Sequence, residues 1–213
     1  MTRSIPGPTI RLAVVAALVF GLAIGLAGCG GSKNSSTSPA TPAAPVASTT
    51  APTAKQQLSL AQAALETSVP DAKLLLVAAG SAITPTAPAD WQYLFGSPKT
   101  GVTWAVLMQN GKATAMRYGT AQLSAKQWAQ VPSTDQWKID SDVAHTAALS
   151  IYPGAKPESP YIIGFVTYIP PTAKSVQTPA MTWSISFQPD TRGSSPSSTV
   201  NVSAVTGKAT FAK

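Results

Sequence analysis

Cysteine and charged residues are scarce in this sequence, and each scarcity excludes a class of protein. The chain has one cysteine, which rules out an internal disulfide and any metal cluster built on several cysteines. Charged residues make up 11% of the chain, against ~25% in an average globular protein. The net charge is +7, and the basic residues are scattered along the chain. Because nucleic-acid binders carry a concentrated basic patch, we expect no nucleic-acid partner.

Residue patterns that carry catalysis are also missing. The single histidine, His145, falls early in a predicted helix and has no evident partner, whereas acid–base catalysis needs a positioned one. The sequence contains no nucleophile elbow and no phosphate-binding glycine loop. Asp140 and Asp142 are the closest carboxylates, and at a helix start they are typical of capping. A calcium loop would need several more oxygens at set spacing. We therefore expect no enzyme, catalytic residue, metal or cofactor.

The N-terminal segment has the pattern of an export signal. Arg3 and Arg11 are followed by a run of 16 apolar residues and glycines from Leu12 to Ala27, which is shorter than the ~20 residues that span a bilayer. Leu26-Ala27-Gly28-Cys29 at its end resembles the lipobox of bacterial lipoproteins. The resemblance implies that residues 1–28 are removed and that Cys29 carries a diacylglyceryl group. It places the protein at the cell membrane, lipid-anchored on the extracytoplasmic side. The alternatives are an ordinary signal peptide with an incidental cysteine, or a short uncleaved anchor.

Residues 29–54 are predicted to form a disordered linker. Residues 30–54 contain six Ala, five Ser, five Thr and four Pro, with Lys33 as their only charge. Such a composition buries too little apolar surface to offset the entropy of the chain. The linker would hold the folded part away from the membrane.

The rest of the chain contains three short matches in the same order, which indicates an internal duplication. The matched segments are Val69–Lys73 with Tyr152–Lys156, Trp91–Phe95 with Trp183–Phe187, and Asn110–Thr114 with Thr206–Thr210. The offset between copies grows from 83 to 92 to 96 residues, as insertions in the loops of the second copy would produce. We predict a first unit at residues 55–118, a connector at 119–139 and a second unit at 140–213.

Each unit is predicted to be a helix packed on a three- to four-stranded antiparallel sheet, so the fold class is α+β. Apolar residues at helical spacing precede Pro70, and Asp140 or Ser141 can cap a second helix that ends near Pro153. Alternating or β-branched stretches follow each helix, and Asn110-Gly111 is a strong hairpin signal. The two sheets could lie side by side.

These units resemble PepSY-type modules of exported bacterial proteins. The segment Val202-Ser203-Ala204-Val205-Thr206-Gly207-Lys208-Ala209 is similar to the closing strand of that family, with Ser203 where the family usually has Asp. The Pro153-Gly154 exit from the helix also fits. The resemblance implies a tandem module that binds or restrains a peptidase in the envelope.

Aromatic residues provide the candidate binding surface. Trp91, Tyr93 and Phe95 alternate along one predicted strand, and with Trp183 and Phe187 they are expected to face the helix. The remaining tryptophans could mark an exposed surface at the junction of the units; they are Trp104, Trp128 and Trp137. The leading hypothesis is a non-enzymatic binding module for an envelope protein or peptide. This hypothesis predicts an exposed apolar patch or an open sheet edge. The alternative is a carrier of a lipid or other apolar ligand, which requires an enclosed cavity between helix and sheet.

Overall fold

The computed structural model describes residues 51–85, 89–152, 154–167, 181–187 and 199–212. The predicted signal, the lipobox with Cys29 and nearly all of the predicted linker lie outside these residues, as does Pro153.

Three helices and eight strands make up the described part of the chain. They are α1 (Ala54–Glu66), β1 (Lys73–Ala79), β2 (Trp91–Gly96), β3 (Val102–Gln109), β4 (Lys112–Thr120), α2 (Ala125–Gln130), α3 (Ser141–Ile151), β5 (Tyr161–Val166), β6 (Thr182–Phe187), β7 (Thr199–Ser203) and β8 (Ala209–Phe211). A single 3₁₀ turn at Thr134–Gln136 lies between α2 and α3. The fold class is therefore α+β, as predicted.

All eight strands belong to one antiparallel sheet, in the order β4-β3-β2-β1-β5-β6-β7-β8. At its centre β1 pairs with β5, with Val77 opposite Phe165. Strands that are consecutive in sequence pair on either side of the β1–β5 contact, and β3 turns into β4 through Asn110 and Gly111, both with positive φ. The sequence predicted two sheets, whereas β1 and β5 bond to each other and leave no break between them.

The helix boundaries follow from local capping. Thr53 and Gln56 form a capping box at the start of α1, and the Asp140 side chain accepts a hydrogen bond from the Ser141 N–H at the start of α3. Helix α1 thus begins inside the predicted linker, whose last residues belong to the folded part. Strand β4 likewise runs to Thr120, beyond the predicted end of the first unit, because it pairs with β3 along its whole length.

Both long helices cover the same face of the sheet. Helix α1 packs on β2, β3 and β4, and α3 packs on β6, β7 and β8. The predicted aromatic stripe lies beneath them and is fully buried, which confirms its assignment to the core; it comprises Trp91, Tyr93, Phe95, Trp183 and Phe187. Burial of such large side chains supplies most of the stabilisation of a core of this kind.

Candidate binding edge

The three tryptophans of the predicted binding surface occupy different environments. Trp137 has no exposed surface. Its ring stacks on Phe165 at 4.8 Å and meets Trp183 edge to face at 5.6 Å, both measured between ring centroids. Trp128 is also buried, and Trp104 is partly buried. Trp137 and Trp128 therefore do not belong to an exposed surface. The segment between β4 and α3 folds back on the sheet and buries both rings against it.

Trp128 packs on the face of the sheet opposite the long helices. A Cβ added to Gly96 would lie 2.6 Å from Cη2 of the Trp128 ring, so only glycine leaves room for this contact. The backbone oxygen of Trp128 accepts a hydrogen bond of 3.0 Å from Nζ of Lys73. A glycine at the end of a strand pattern was the one sequence signal for this close approach.

The first turns of α1 and α3 meet at the Asp140 carboxylate. This group accepts hydrogen bonds from the Thr53 hydroxyl, from the Lys55 N–H at 3.0 Å and from the Ser141 N–H at 2.7 Å. One negative charge thus satisfies backbone donors at the positive ends of two helix dipoles. The prediction that Asp140 caps a helix is confirmed. Burial and the charge of Asp140 together raise the pKa of Tyr93, whose hydroxyl donates to the Ala54 carbonyl.

His145 lies in an aromatic cluster under α3 rather than in a catalytic arrangement. Its ring stacks on Tyr161 at 3.8 Å between centroids, with Phe187 at 5.8 Å. Nε2 is buried without a hydrogen-bond partner in the described part of the chain. Burial lowers the pKa of His145, and burial together with the charge of Asp142 raises the pKa of Tyr161 to about 12. These shifts keep both rings neutral near pH 7, which suits a packing role.

The helix-free face of the sheet is apolar on one half and polar on the other. Cross-strand neighbours on β4, β3, β2, β1 and β5 form an apolar row: Met116, Ala105, Leu94, Leu76 and Val166. On β6 and β7 the same face carries Ser and Thr, including Ser184, which donates to Asn201 at 2.9 Å, and the Ser186–Thr199 pair. Trp128 covers one end of the apolar half.

Strand β4 forms an end of the sheet, and among the described strands it pairs only with β3. A two-residue turn joins β3 and β4, and this fixes which backbone groups of β4 point toward β3. Lys112, Thr114 and Met116 form backbone hydrogen bonds with β3, up to the register shift between Thr103 and Trp104. Ala113, Ala115 and Arg117 therefore turn their N–H and C=O groups away from the sheet. We call this open side of β4 the binding edge.

Exposed apolar side chains flank the binding edge on both faces. Met116 and Tyr118 are 41% and 44% exposed on β4 itself, and Leu60 of α1 is 50% exposed. Helix α1 packs on β4. Gln62 lies on the flank of α1 that borders a groove over the start of β1, and Leu60 lies about 200° from Gln62 around the helix, on the flank toward β4. The charged residues of β4 are Lys112 and Arg117, and neither β3 nor β4 contains an acid.

Two small grooves within the described residues lie against α1. The larger one has a volume of about 360 Å³ and is lined by α1 side chains such as Gln62 and Glu66, with Phe95 at its base. The second, of about 270 Å³, lies between β1 and the segment at residues 131–134. Within the described ranges no three His, Cys, Asp or Glu side chains come close enough to hold a metal ion. Of the described helices, none has the length and apolar content to cross a bilayer.

No protein family, curated protein or solved structure matches the chain.

Proposed function

We propose that this chain is a lipid-anchored protein of the bacterial cell envelope and a non-enzymatic binding module for a protein or peptide. The single observation that carries the proposal is the binding edge: a strand whose outward backbone groups have no partner among the described strands, flanked by exposed Leu60, Met116 and Tyr118. Open edges invite another extended chain, and proteins commonly shield them by charge, shortness or a covering loop. Strand β4 is nine residues long, the longest of the described strands, so shortness does not shield it. Extended peptides are bound at such edges by main-chain hydrogen bonds.

The anchor part of the proposal depends on the lipobox at Leu26-Ala27-Gly28-Cys29. A diacylglyceryl group carries two acyl chains, which suffice for stable attachment to a membrane. Exchange of Cys29 for alanine should move the protein from the membrane fraction to the soluble fraction and remove fatty acid from the purified product. An unchanged membrane fraction for the Cys29→Ala form would contradict the anchor.

We also propose that the folded part is a duplicated unit of one helix and four strands. Two matched tryptophans support this: Trp91 Nε1 donates to the Pro52 carbonyl at 3.0 Å, and Trp183 Nε1 donates to the Ile139 carbonyl at 2.8 Å. Pro52 and Ile139 each precede the N-cap of a helix. Each tryptophan therefore holds the start of its own helix in the same manner, which unrelated segments have no reason to share.

Burial along the two helices supports the duplication as well. Counted from the N-caps, the first, fourth and eighth positions are buried in both helices; they are Ala54, Gln57 and Ala61 in α1, and Ser141, Ala144 and Ala148 in α3. The pairing of β1 with β5 is compatible with a two-fold axis between Ala78 and Gly164, which face each other. Ala79 pairs with Trp91 as Phe165 pairs with Trp183, so the matched tryptophans fit this axis. The proposed copies thus join edge to edge.

The resemblance to PepSY-type modules stays a prediction, and so does a role as a peptidase modulator. The alternative of a lipid carrier stays a prediction too, since no contact or cavity among the described residues favours it.

Site-specific photo-crosslinking in intact cells tests the binding function. A photoreactive phenylalanine analogue at position 116 should give a defined adduct, and the same analogue at Phe211 on the opposite edge should not. The Ala115→Pro change removes an outward-facing N–H and should abolish the adduct while leaving the pairing with β3 intact. An adduct that persists in the Ala115→Pro form, or that appears equally at position 211, would count against the binding edge.

A further inference from the structure

The charges around the binding edge select the chemistry of its occupant. Lys112 and Arg117 are exposed, and β4 and its neighbour β3 contain no acid. Two acids of the adjoining segments are directed elsewhere: Glu66 lines the groove on the far flank of α1, and Asp71 accepts hydrogen bonds from the Ser97 hydroxyl at 2.8 Å and the Lys99 N–H at 3.0 Å. The side chains of β3 and β4 therefore bring only positive charge to the edge.

The two cations lie on different faces of β4. Arg117 pairs with Trp104, which shares the helix face with Phe95. Lys112 follows the alternation of Thr114 and Met116 and so lies on the helix-free face. Each face of the edge thus offers one cation and one exposed apolar side chain. Lys112 and Met116 share the helix-free face of β4, and Arg117 lies on the face on which α1, with exposed Leu60, packs.

From this arrangement we propose that the occupant is an acidic, extended segment of a partner protein that adds to β4 as a ninth strand. Main-chain hydrogen bonds to Ala113, Ala115 and Arg117 align the segment. Its side chains alternate between the faces, so that acids and apolar residues are present on both. This inference rests on the proposed binding function and adds the chemical class of the partner.

A peptide panel tests the charge requirement on the lipidated full-length mature chain in detergent. The probe is a fluorescent ten-residue peptide in which valine and glutamate are placed on both faces, and its counterpart has lysine in place of each glutamate. Binding is followed by fluorescence anisotropy. The acidic peptide should bind and the lysine peptide should not. Because exposed ion pairs contribute ~0.2–1 kcal/mol each, Lys112→Gln with Arg117→Gln should weaken the acidic peptide about three- to tenfold.

The matched control removes two exposed lysines away from the edge, by Lys156→Gln with Lys208→Gln, and should leave affinity unchanged. Ala115→Pro should abolish binding of the acidic peptide. If Ala115→Pro disturbs the strand itself, the variant Lys112→Gln with Arg117→Gln still tests the charge requirement. Equal binding of the acidic and lysine peptides, or an equal loss in the edge and control variants, overturns the inference. If that happens while the adduct at position 116 still depends on Ala115, the binding function stands and only the partner's charge is wrong. If no crosslinked adduct forms at position 116 either, both the binding function and the acidic partner are wrong.

Discussion

Replacement of Asp140 by alanine tests whether one carboxylate holds the starts of both long helices. Loss of an N-cap costs about 1 kcal/mol. The Thr53 hydroxyl and the Lys55 N–H lose their acceptor in addition. Hydrogen bonds to charged groups contribute ~1.5–3 kcal/mol each, and partial exposure of this site favours the low end or less. We expect the free energy of unfolding to fall by about 2–3 kcal/mol.

The measurement is urea unfolding of the mature chain with Cys29→Ser, followed by tryptophan fluorescence. At ~2–4 °C per kcal/mol for a domain of this size, the Tm should also fall by about 5–10 °C. Asp142→Ala is the matched control, since Asp142 is exposed in the first turn of the same helix and should cost under ~1 kcal/mol. Asp140→Asn retains an acceptor and should fall between the two. Equal losses for the alanine variants of Asp140 and Asp142 would refute the shared-cap argument.

Three further perturbations probe packing, turn geometry and titration. Gly96→Ala should lower the free energy of unfolding by about 1–3 kcal/mol, because the new Cβ would lie 2.6 Å from the Trp128 ring. Gly119→Ala is its control in urea unfolding, since a Cβ there meets nothing closer than 3.7 Å. Gly111→Ala should cost about 1 kcal/mol in the same assay, because φ is +73° in the β3–β4 turn. Burial lowers the pKa of His145, so just below the ordinary pKa of ~6.5 the unfolded chain binds more protons than the folded chain. The contribution of His145 to stability should therefore be fully present above that value and fall as the pH drops through it.

These expectations have clear contrary outcomes. A Gly96→Ala variant as stable as Gly119→Ala would mean that the Trp128 ring moves aside without cost. A Gly111→Ala variant with wild-type stability would mean that the turn tolerates a side chain. For His145, a His145→Leu variant should lose the decline between pH 7.5 and 5.5, and a decline of the same size in that variant would assign the effect to other groups.

Much of the local structure was predictable because it depends on neighbours in sequence. Asp140 caps α3, and the buried aromatic stripe from Trp91 to Phe95 follows from the two-residue period of a strand. The Asn110-Gly111 turn depends only on residues that tolerate positive φ. Each of these features is set within about one helical turn or one hairpin.

The binding edge was predictable in kind but not in place. An open sheet edge was expected from the binding hypothesis, but nothing in the sequence of β4 distinguishes an edge strand from an internal one. Exposure of Met116 and Tyr118 follows from that edge position. The positions of Trp128 and Trp137 were also beyond reach, because they depend on how residues 121–140 fold back over the sheet.

By itself the sequence determined the α+β class, the start of α3, the buried stripe and the β3–β4 hairpin, since these arise from side-chain periodicity and local hydrogen bonding. Only the tertiary structure decided that β1 and β5 pair into one eight-stranded sheet, that Trp137 is core, and that β4 is left open. The physical reason is that any extended backbone can bond to any other, so strand neighbours are selected by long-range packing of whole faces rather than by the residues of one strand.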